Sequence, residues 1–151
     1  MSDVGPDSTG TAHGFGRVLV AVYAVFAIAA SARSLYQLAT KADEAPLAYT
    51  LSALAGVVYV VATLALATDR RRLATATIGF ELVGVLAVGA LTLVDGELFP
   101  DQTVWSGFGA GYLFIPLVLP FVGLWWLWVT ASRGRGQVKA PRTHTTRGRN
   151  H

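Results

Sequence analysis

The chain has 151 residues, of which 53% are hydrophobic and only 14% are charged. This balance is typical of membrane-embedded helical proteins, and the length accommodates four spans but no additional sizeable soluble domain. Cysteine is absent, which excludes disulfides, thiolate metal sites and cysteine nucleophiles. The net charge is only +3, but the basic residues cluster in a few polar stretches, as expected for loops sorted across a membrane.

The amino-terminal part of the sequence predicts a leader and a first span. Residues 1–14 are rich in Gly, Ser, Thr and Asp, so we expect a disordered leader. The first predicted span, residues 17–39, carries Arg33 toward its outer end. A second interpretation is that Ala30-Ser31-Ala32 is a signal-peptidase site and the span is removed. The acidic leader argues against cleavage, because signal peptides carry a basic flank and only Arg17 supplies one here.

The second and third predicted spans cover residues 47–67 and 73–94. The second has no charge, and its Ser52 and Gly56 are four residues apart, which predicts a face where another helix packs closely. The third carries Glu81 near its middle, with Gly84 on the same helical face. Residues 70–72 are three consecutive arginines between these spans, and they place this connection on the cytoplasmic side.

The last part of the sequence predicts an outer connection, a fourth span and a basic tail. Residues 95–106 contain three acids and no base, and residues 108–130 form the fourth span. Gly107 and Gly111 form a GxxxG helix-packing motif near its outer end. Pro116 and Pro120 lie one turn apart, which predicts a kink. Residues 132–151 are predicted to be a disordered cytoplasmic tail.

These elements predict an all-α fold in which residues 15–131 form a bundle of four transmembrane helices with disordered tails. Ten of the twelve lysines and arginines are Arg17 at the start of the first span, the three of residues 70–72 and the six of the tail. Because basic residues are retained on the cytoplasmic side, both termini are expected to be cytoplasmic and the bundle to lie in the plasma membrane.

A buried polar cluster is the principal candidate site. An ionised carboxylate at the midplane costs a few kcal/mol, so Glu81 should face other helices and either find a partner or remain protonated. Its natural partner is Arg33, the other charge within an apolar run. The predicted cluster consists of Arg33, Tyr36, Gln37, Tyr49, Thr77 and Glu81.

Two arrangements of this cluster stay open at the level of sequence. In the first, the Arg33 guanidinium reaches the Glu81 carboxyl directly or through tyrosine or water. In the second, Arg33 extends outward toward Asp43, Glu44 or Asp101. The Glu81 carboxyl is then protonated and bonded to Thr77 or to a tyrosine.

Several segments together resemble small integral membrane proteins of actinobacteria. They are residues 33–40, 44–49, 79–84, 99–101, 104–105 and 109–112, followed by Pro116 and Pro120. The resemblance extends over about residues 17–128 and stops at both tails. It implies a four-helix protein of the plasma membrane and supplies no activity.

The sequence favours a function without catalysis. Its three histidines lie at positions 13, 144 and 151, all in the tails, and no catalytic or phosphate-binding pattern is present. We therefore predict no cofactor, no metal and no nucleic-acid partner. The expected partners are the lipid bilayer, anionic lipid head groups at the basic tail, and a second copy or another membrane protein.

Two alternatives to this interpretation remain. One is a carrier of protons or small solutes that uses Glu81 and a proline-bent fourth helix. The other, less favoured, is a lipid-modifying membrane enzyme.

Overall fold

The computed structural model describes the backbone of residues 8–136 and the side chains of residues 13–133. Within this range the fold is helical and contains no strand: α1 is Ser8–Lys41, α2 is Pro46–Ala67, α3 is Arg71–Val94 and α4 is Ile115–Gly136. Each of the four helices contains a segment long and apolar enough to cross a membrane. The predicted all-α class with four candidate spans is therefore confirmed.

The connections determine how the helices run. Only residues 42–45 separate α1 from α2, and only residues 68–70 separate α2 from α3, so consecutive helices are antiparallel neighbours. We call the end that holds residues 68–72 the arginine end, and the opposite end, which holds residues 42–45 and 95–114, the acidic end. The first residues of α1 and the last residues of α4 lie at the arginine end.

The first two helices pack backbone to backbone. A Cβ atom placed on Gly56 of α2 would lie 3.2 Å from the Ser31 nitrogen and 3.3 Å from the Ser31 Cα of α1. Such a short separation is the geometry that small residues allow between membrane helices. Tyr23 of α1 and Tyr59 of α2 are buried in the core that these helices share with α3.

Residues 95–114, the α3–α4 segment, fold back onto the bundle at the acidic end. Val104 and Trp105 are each only 1% exposed. The Trp105 ring covers Gly84 of α3, and the Phe108 ring covers Gly89 one turn and a residue further along the same helix. Irregular backbone is tolerated at membrane depth where the protein buries it, and Val104 and Trp105 are buried in this way.

The predicted start of the fourth span at residue 108 is wrong, because α4 begins at Ile115. Residues Ser106–Tyr112 form tight turns in which Gly107, Phe108 and Gly109 have φ angles of 54°, 60° and 79°. This left-handed backbone cannot continue an α-helix. The GxxxG prediction for Gly107 and Gly111 is therefore also wrong, since the two residues do not share a helical face.

The predicted pair of kinking prolines is corrected as well. Pro116 is the second residue of α4, where a missing N–H costs no helical hydrogen bond, so it starts the helix. Pro120 alone lies inside the helix. The Pro116 ring packs against Gly109, where an added Cβ would come within 2.8 Å of its Cδ.

Both predicted tails are partly helical. Residues 8–14 belong to α1 and residues 132–136 belong to α4, so disorder is wrong for these stretches. The Phe15 and Trp125 rings contact each other edge to face with centroids 6.3 Å apart, which ties the two helix ends together. The leader residues 1–7 and the tail residues 137–151, where lipid binding was predicted, lie outside the described residues.

Candidate functional site

The Glu81 side chain lies in the centre of the bundle and is 0% exposed. It extends from the inward face of α3, which also carries Ile78 and Val85. The Tyr23 hydroxyl of α1 donates a hydrogen bond of 2.8 Å to the Glu81 Oε2. The carboxyl group therefore faces other helices, as an acidic side chain within a membrane requires.

Two further side chains complete this first centre, which we call the Glu81 centre. The Tyr59 hydroxyl lies near the same carboxyl group and accepts a hydrogen bond of 3.3 Å from the Trp105 indole Nε1. The Glu81 Oε1 has no hydrogen-bond partner among the described residues. The centre thus joins α1, α2, α3 and the α3–α4 segment, and it keeps one carboxyl oxygen free to accept a proton or another donor.

Arg33 belongs to a second centre at the acidic end. Its Nη1 donates a hydrogen bond of 2.8 Å to the Tyr112 hydroxyl, and its Nη2 donates one of 3.2 Å to the Gln102 carbonyl. The same Nη2 lies 3.8 Å from the Asp101 Oδ1. Of the two open arrangements, the structure has the second: Arg33 extends outward to Asp101, and Glu81 bonds a tyrosine.

Asp101 is the residue on which this second centre, the Asp101 centre, converges. Its Oδ2 accepts a hydrogen bond of 3.1 Å from the Gln37 Nε2, and its Oδ1 accepts one of 2.8 Å from the Gln102 backbone N–H. The Tyr49 hydroxyl of α2 lies near this carboxylate. Asp101 therefore holds the α3–α4 segment against α1 through Gln37 and Arg33.

The predicted cluster is therefore divided between two centres, and two of its members belong to neither. Tyr36 is 63% exposed on the outside of α1. The Thr77 hydroxyl donates to the carbonyl of Leu73 in its own helix at 2.8 Å. Arg33, Gln37 and Tyr49 lie in the Asp101 centre, and only Glu81 lies at the core.

The residues predicted to pack helices have different neighbours. Gly56 lies against α1, and Ser52, also on α2, is fully buried with no hydrogen-bond partner for its hydroxyl among the described residues. Gly84 contacts the Trp105 ring, not another helix. Its small size makes room for an indole from the α3–α4 segment.

Sequence reasoning missed four members of the two centres: Tyr23, Tyr59, Trp105 and Tyr112. Aromatic residues occur throughout apolar spans, so their type and spacing do not distinguish a hydrogen-bonding tyrosine from one that only fills space. One signal was present, since Tyr23 and Tyr59 each lie within a long uncharged apolar run, where a hydroxyl needs a partner within the protein.

The carboxyl and hydroxyl groups of the Glu81 centre can exchange hydrogen bonds, and the carboxyl group can also take up or release a proton. Among residues 13–133, no three His, Asp or Glu side chains lie close enough together to hold a metal ion. No protein-family model, curated protein or solved structure matches this chain. Its function is therefore inferred from the contacts within the chain.

Proposed function

We propose that this protein is a non-enzymatic, multi-pass membrane component that acts by associating within the membrane, first with a second copy of itself. The observation that supports the proposal is that the charged groups of both centres bind other parts of the same chain. Glu81 joins α3 to α1, and Asp101 joins the α3–α4 segment to α1. These groups act as internal supports, and the outer faces of the helices are what a partner would meet.

The outward face of α3 is the surface best suited to a second helix. It presents a stripe of mostly small residues along the helix: Ala76, Gly79, Val83, Ala87 and Ala90. A Cβ placed on Gly79 would meet nothing within 4 Å. The glycines that neighbouring groups fill, Gly56 and Gly84, lie elsewhere, so this stripe remains open to another backbone.

α2 and α4 present larger side chains to the lipid, and α3 itself exposes Phe80 and Leu86 beside its stripe. α2 exposes Leu54, Val57 and Leu64, and the outer face of α4 carries Phe121 and Trp125. Bulky side chains keep a neighbouring backbone at a greater distance, whereas small ones allow close van der Waals packing. We infer that two copies associate through the α3 stripe, because Gly79 leaves open space there for a neighbouring helix.

The proposed location is the plasma membrane, with both termini in the cytoplasm. Support comes from the arginine end, where Arg17 lies at the same end of the bundle as residues 70–72. Basic residues are retained on the cytoplasmic side. The resemblance to small actinobacterial membrane proteins supports the same placement.

Single-cysteine crosslinking tests the α3 interface. The chain has no native cysteine, so a disulfide can form only at the introduced residue. Val83→Cys on α3 and Val57→Cys on α2 are matched, since both valines are exposed, at 66% and 60%. We expect mild oxidation in native membranes to give a disulfide-linked dimer for Val83→Cys and monomer for Val57→Cys. Adding Gly79→Leu to Val83→Cys should abolish the dimer, because a leucine fills the open stripe.

Equal crosslinking of the two cysteine variants would contradict the α3 interface. Monomer alone from both variants, with no crosslinked partner of other size, would contradict the proposed function itself.

A second candidate function is supported by the free carboxyl oxygen in the Glu81 centre. Glu81 Oε1 is buried without a hydrogen bond from the described residues, and two tyrosine hydroxyls lie near the carboxyl group. Buried acids within membranes mark proton and ion pathways. A carrier of protons or small solutes would use this carboxyl group as its titrating site.

Proteoliposomes containing a pH-sensitive dye test the carrier function. If the protein carries protons, Glu81→Gln should remove the flux, because an amide cannot exchange a proton with the tyrosines. Glu97→Gln, at an exposed acid of the α3–α4 segment, is the matched control and should retain it. A flux that Glu81→Gln leaves unchanged, or no flux with the native chain, would exclude this function.

A further inference from the structure

A cleft opens at the arginine end between α1, the end of α2 and α4. Its volume is about 690 Å³, within the range of about 300–1,000 Å³ that small-molecule pockets occupy. Its lining combines two arginines and one acid with apolar side chains, chiefly Arg17, Arg71, Asp69, Val20, Leu66 and Trp126. The Asp69 carboxylate lies beside Arg71, so the excess positive charge is at Arg17. None of these residues belongs to the Glu81 centre or the Asp101 centre.

Two arginines give the cleft its positive charge. Arg71 is fixed in place, because its Nη2 donates to the Thr130 Oγ1 at 2.7 Å and its Nε lies 3.5 Å from the Asp69 Oδ1. Arg17 is exposed and forms no ion pair with any residue in the described part of the chain. An unpaired guanidinium at the mouth of a cleft presents several donors to an anion, and its planar shape suits a phosphate.

The deeper wall of the cleft is apolar. The Trp126 ring packs so closely on Gly16 that a Cβ there would lie 2.8 Å from the ring, and Val20 and Leu66 continue the wall. The Trp126 indole Nε1 is shielded from water and has no acceptor among the described residues. This wall therefore suits the apolar part of a ligand.

We propose that this cleft binds an anionic phospholipid, with the headgroup phosphate at Arg17 and an acyl chain along the wall of Val20, Leu66 and Trp126. The cleft lies at the end of the apolar segments, at the depth where phospholipid head groups meet the hydrocarbon. An acyl chain can pack against the apolar wall, whereas a free phosphate ion has no apolar part that could contact it. This site is separate from the α3 stripe and does not depend on self-association.

Native mass spectrometry of the full chain in neutral detergent, titrated with dioleoyl phosphatidylglycerol, tests this site. Arg17→Gln should reduce the retained lipid about five-fold, since one basic residue near an anionic headgroup contributes about 1 kcal/mol. Arg70→Gln removes the same charge from a neighbouring position that does not line the cleft, and should change retention less than two-fold. Arg17→Lys, which keeps the charge, should retain most of the lipid.

Three further results decide the assignment. Equal losses for Arg17→Gln and Arg70→Gln would show attraction to the whole arginine end and overturn the cleft site. Equal retention of zwitterionic phosphatidylcholine would also overturn it. Thermal protection by inorganic phosphate equal to that by phosphatidylglycerol would assign the cleft to a soluble anion instead. Unchanged melting of all variants without lipid confirms that the lost retention is not a loss of folding.

Discussion

Trp105→Ala is expected to lower the free energy of unfolding in detergent by about 3–5 kcal/mol, the cost of removing a large buried aromatic side chain. Trp105 is 1% exposed, its ring fills the space above Gly84, and its Nε1 donates to the Tyr59 hydroxyl. The substitution opens a cavity beside α3 and removes the donor next to the Glu81 centre. Denaturant unfolding in detergent, followed by the fluorescence of the remaining tryptophans, measures the change.

Trp128→Ala is the matched control for this prediction. Trp128 is 69% exposed on α4, so the same loss of an indole should cost less than about 1 kcal/mol. The Trp105→Ala variant should also show faster proteolysis within residues 95–106, because the α3–α4 segment loses its main anchor. Equal stability of the two variants would mean that the Trp105 ring does not hold the segment in place.

Gly56→Leu is expected to destabilise the bundle by about 3 kcal/mol, at the upper end of the usual cost of overpacking. A Cβ at this position would lie 3.0 Å from the Ser31 hydroxyl and 3.3 Å from the Ser31 Cα, and leucine adds three more carbons. Backbone atoms of α1 cannot rotate away as a side chain can, so the two helices must separate. Thermal unfolding in detergent measures the loss.

Gly79→Leu provides the comparison for Gly56→Leu. It makes the same change where an added Cβ meets nothing within 4 Å. In dilute detergent solution, the free energy of unfolding of this variant should therefore lie within about 0.5 kcal/mol of that of the native protein. A large loss at Gly79 with little at Gly56 would place the close helix contact on α3 and contradict the α1–α2 packing.

The bundle itself could be predicted because hydropathy reports directly on membrane-spanning helices. The predicted second and third spans, residues 47–67 and 73–94, agree with α2 and α3 to within two residues at each end. Proline and three arginines mark the starts of these helices. Where local signals and hydropathy indicate the same boundary, sequence reasoning is accurate.

The start of α4 was mispredicted because hydropathy does not report backbone conformation. Phe108, Leu113 and Phe114 are as apolar as any span, yet all three have positive φ angles. Three glycines between residues 107 and 111 favour turns, but in apolar surroundings they also match a helix-packing motif. The contact between the Phe108 ring and Gly89 stabilises the turn. These two residues are too far apart in the chain for a local sequence pattern to reveal the contact.

The candidate site was predicted in part, and the missing part has a physical cause. Glu81 and Arg33 are conspicuous because charges in apolar runs are costly, and both are bonded within the protein. Their mutual pairing was one of the two arrangements that the sequence left open. In the structure Tyr23 and Asp101 are their partners. A neutral tyrosine can donate a hydrogen bond to a carboxyl group, but it has no charge that would identify it as the partner in the sequence.

The fold of the α3–α4 segment has a consequence for biosynthesis. α1 and α2 contact each other through Gly56 and Ser31, so this hairpin has its full interface once both helices have been translated. The grooves at Gly84 and Gly89 are filled only by Trp105 and Phe108, which leave the ribosome after α3 is complete. A nascent chain arrested at residue 94 would have two empty grooves and an Arg33 without Tyr112 or Asp101. The acidic end can therefore form only after Tyr112 has been translated, and the arginine end forms later still, because Trp126 and Thr130 of α4 contact Gly16 and Arg71 there.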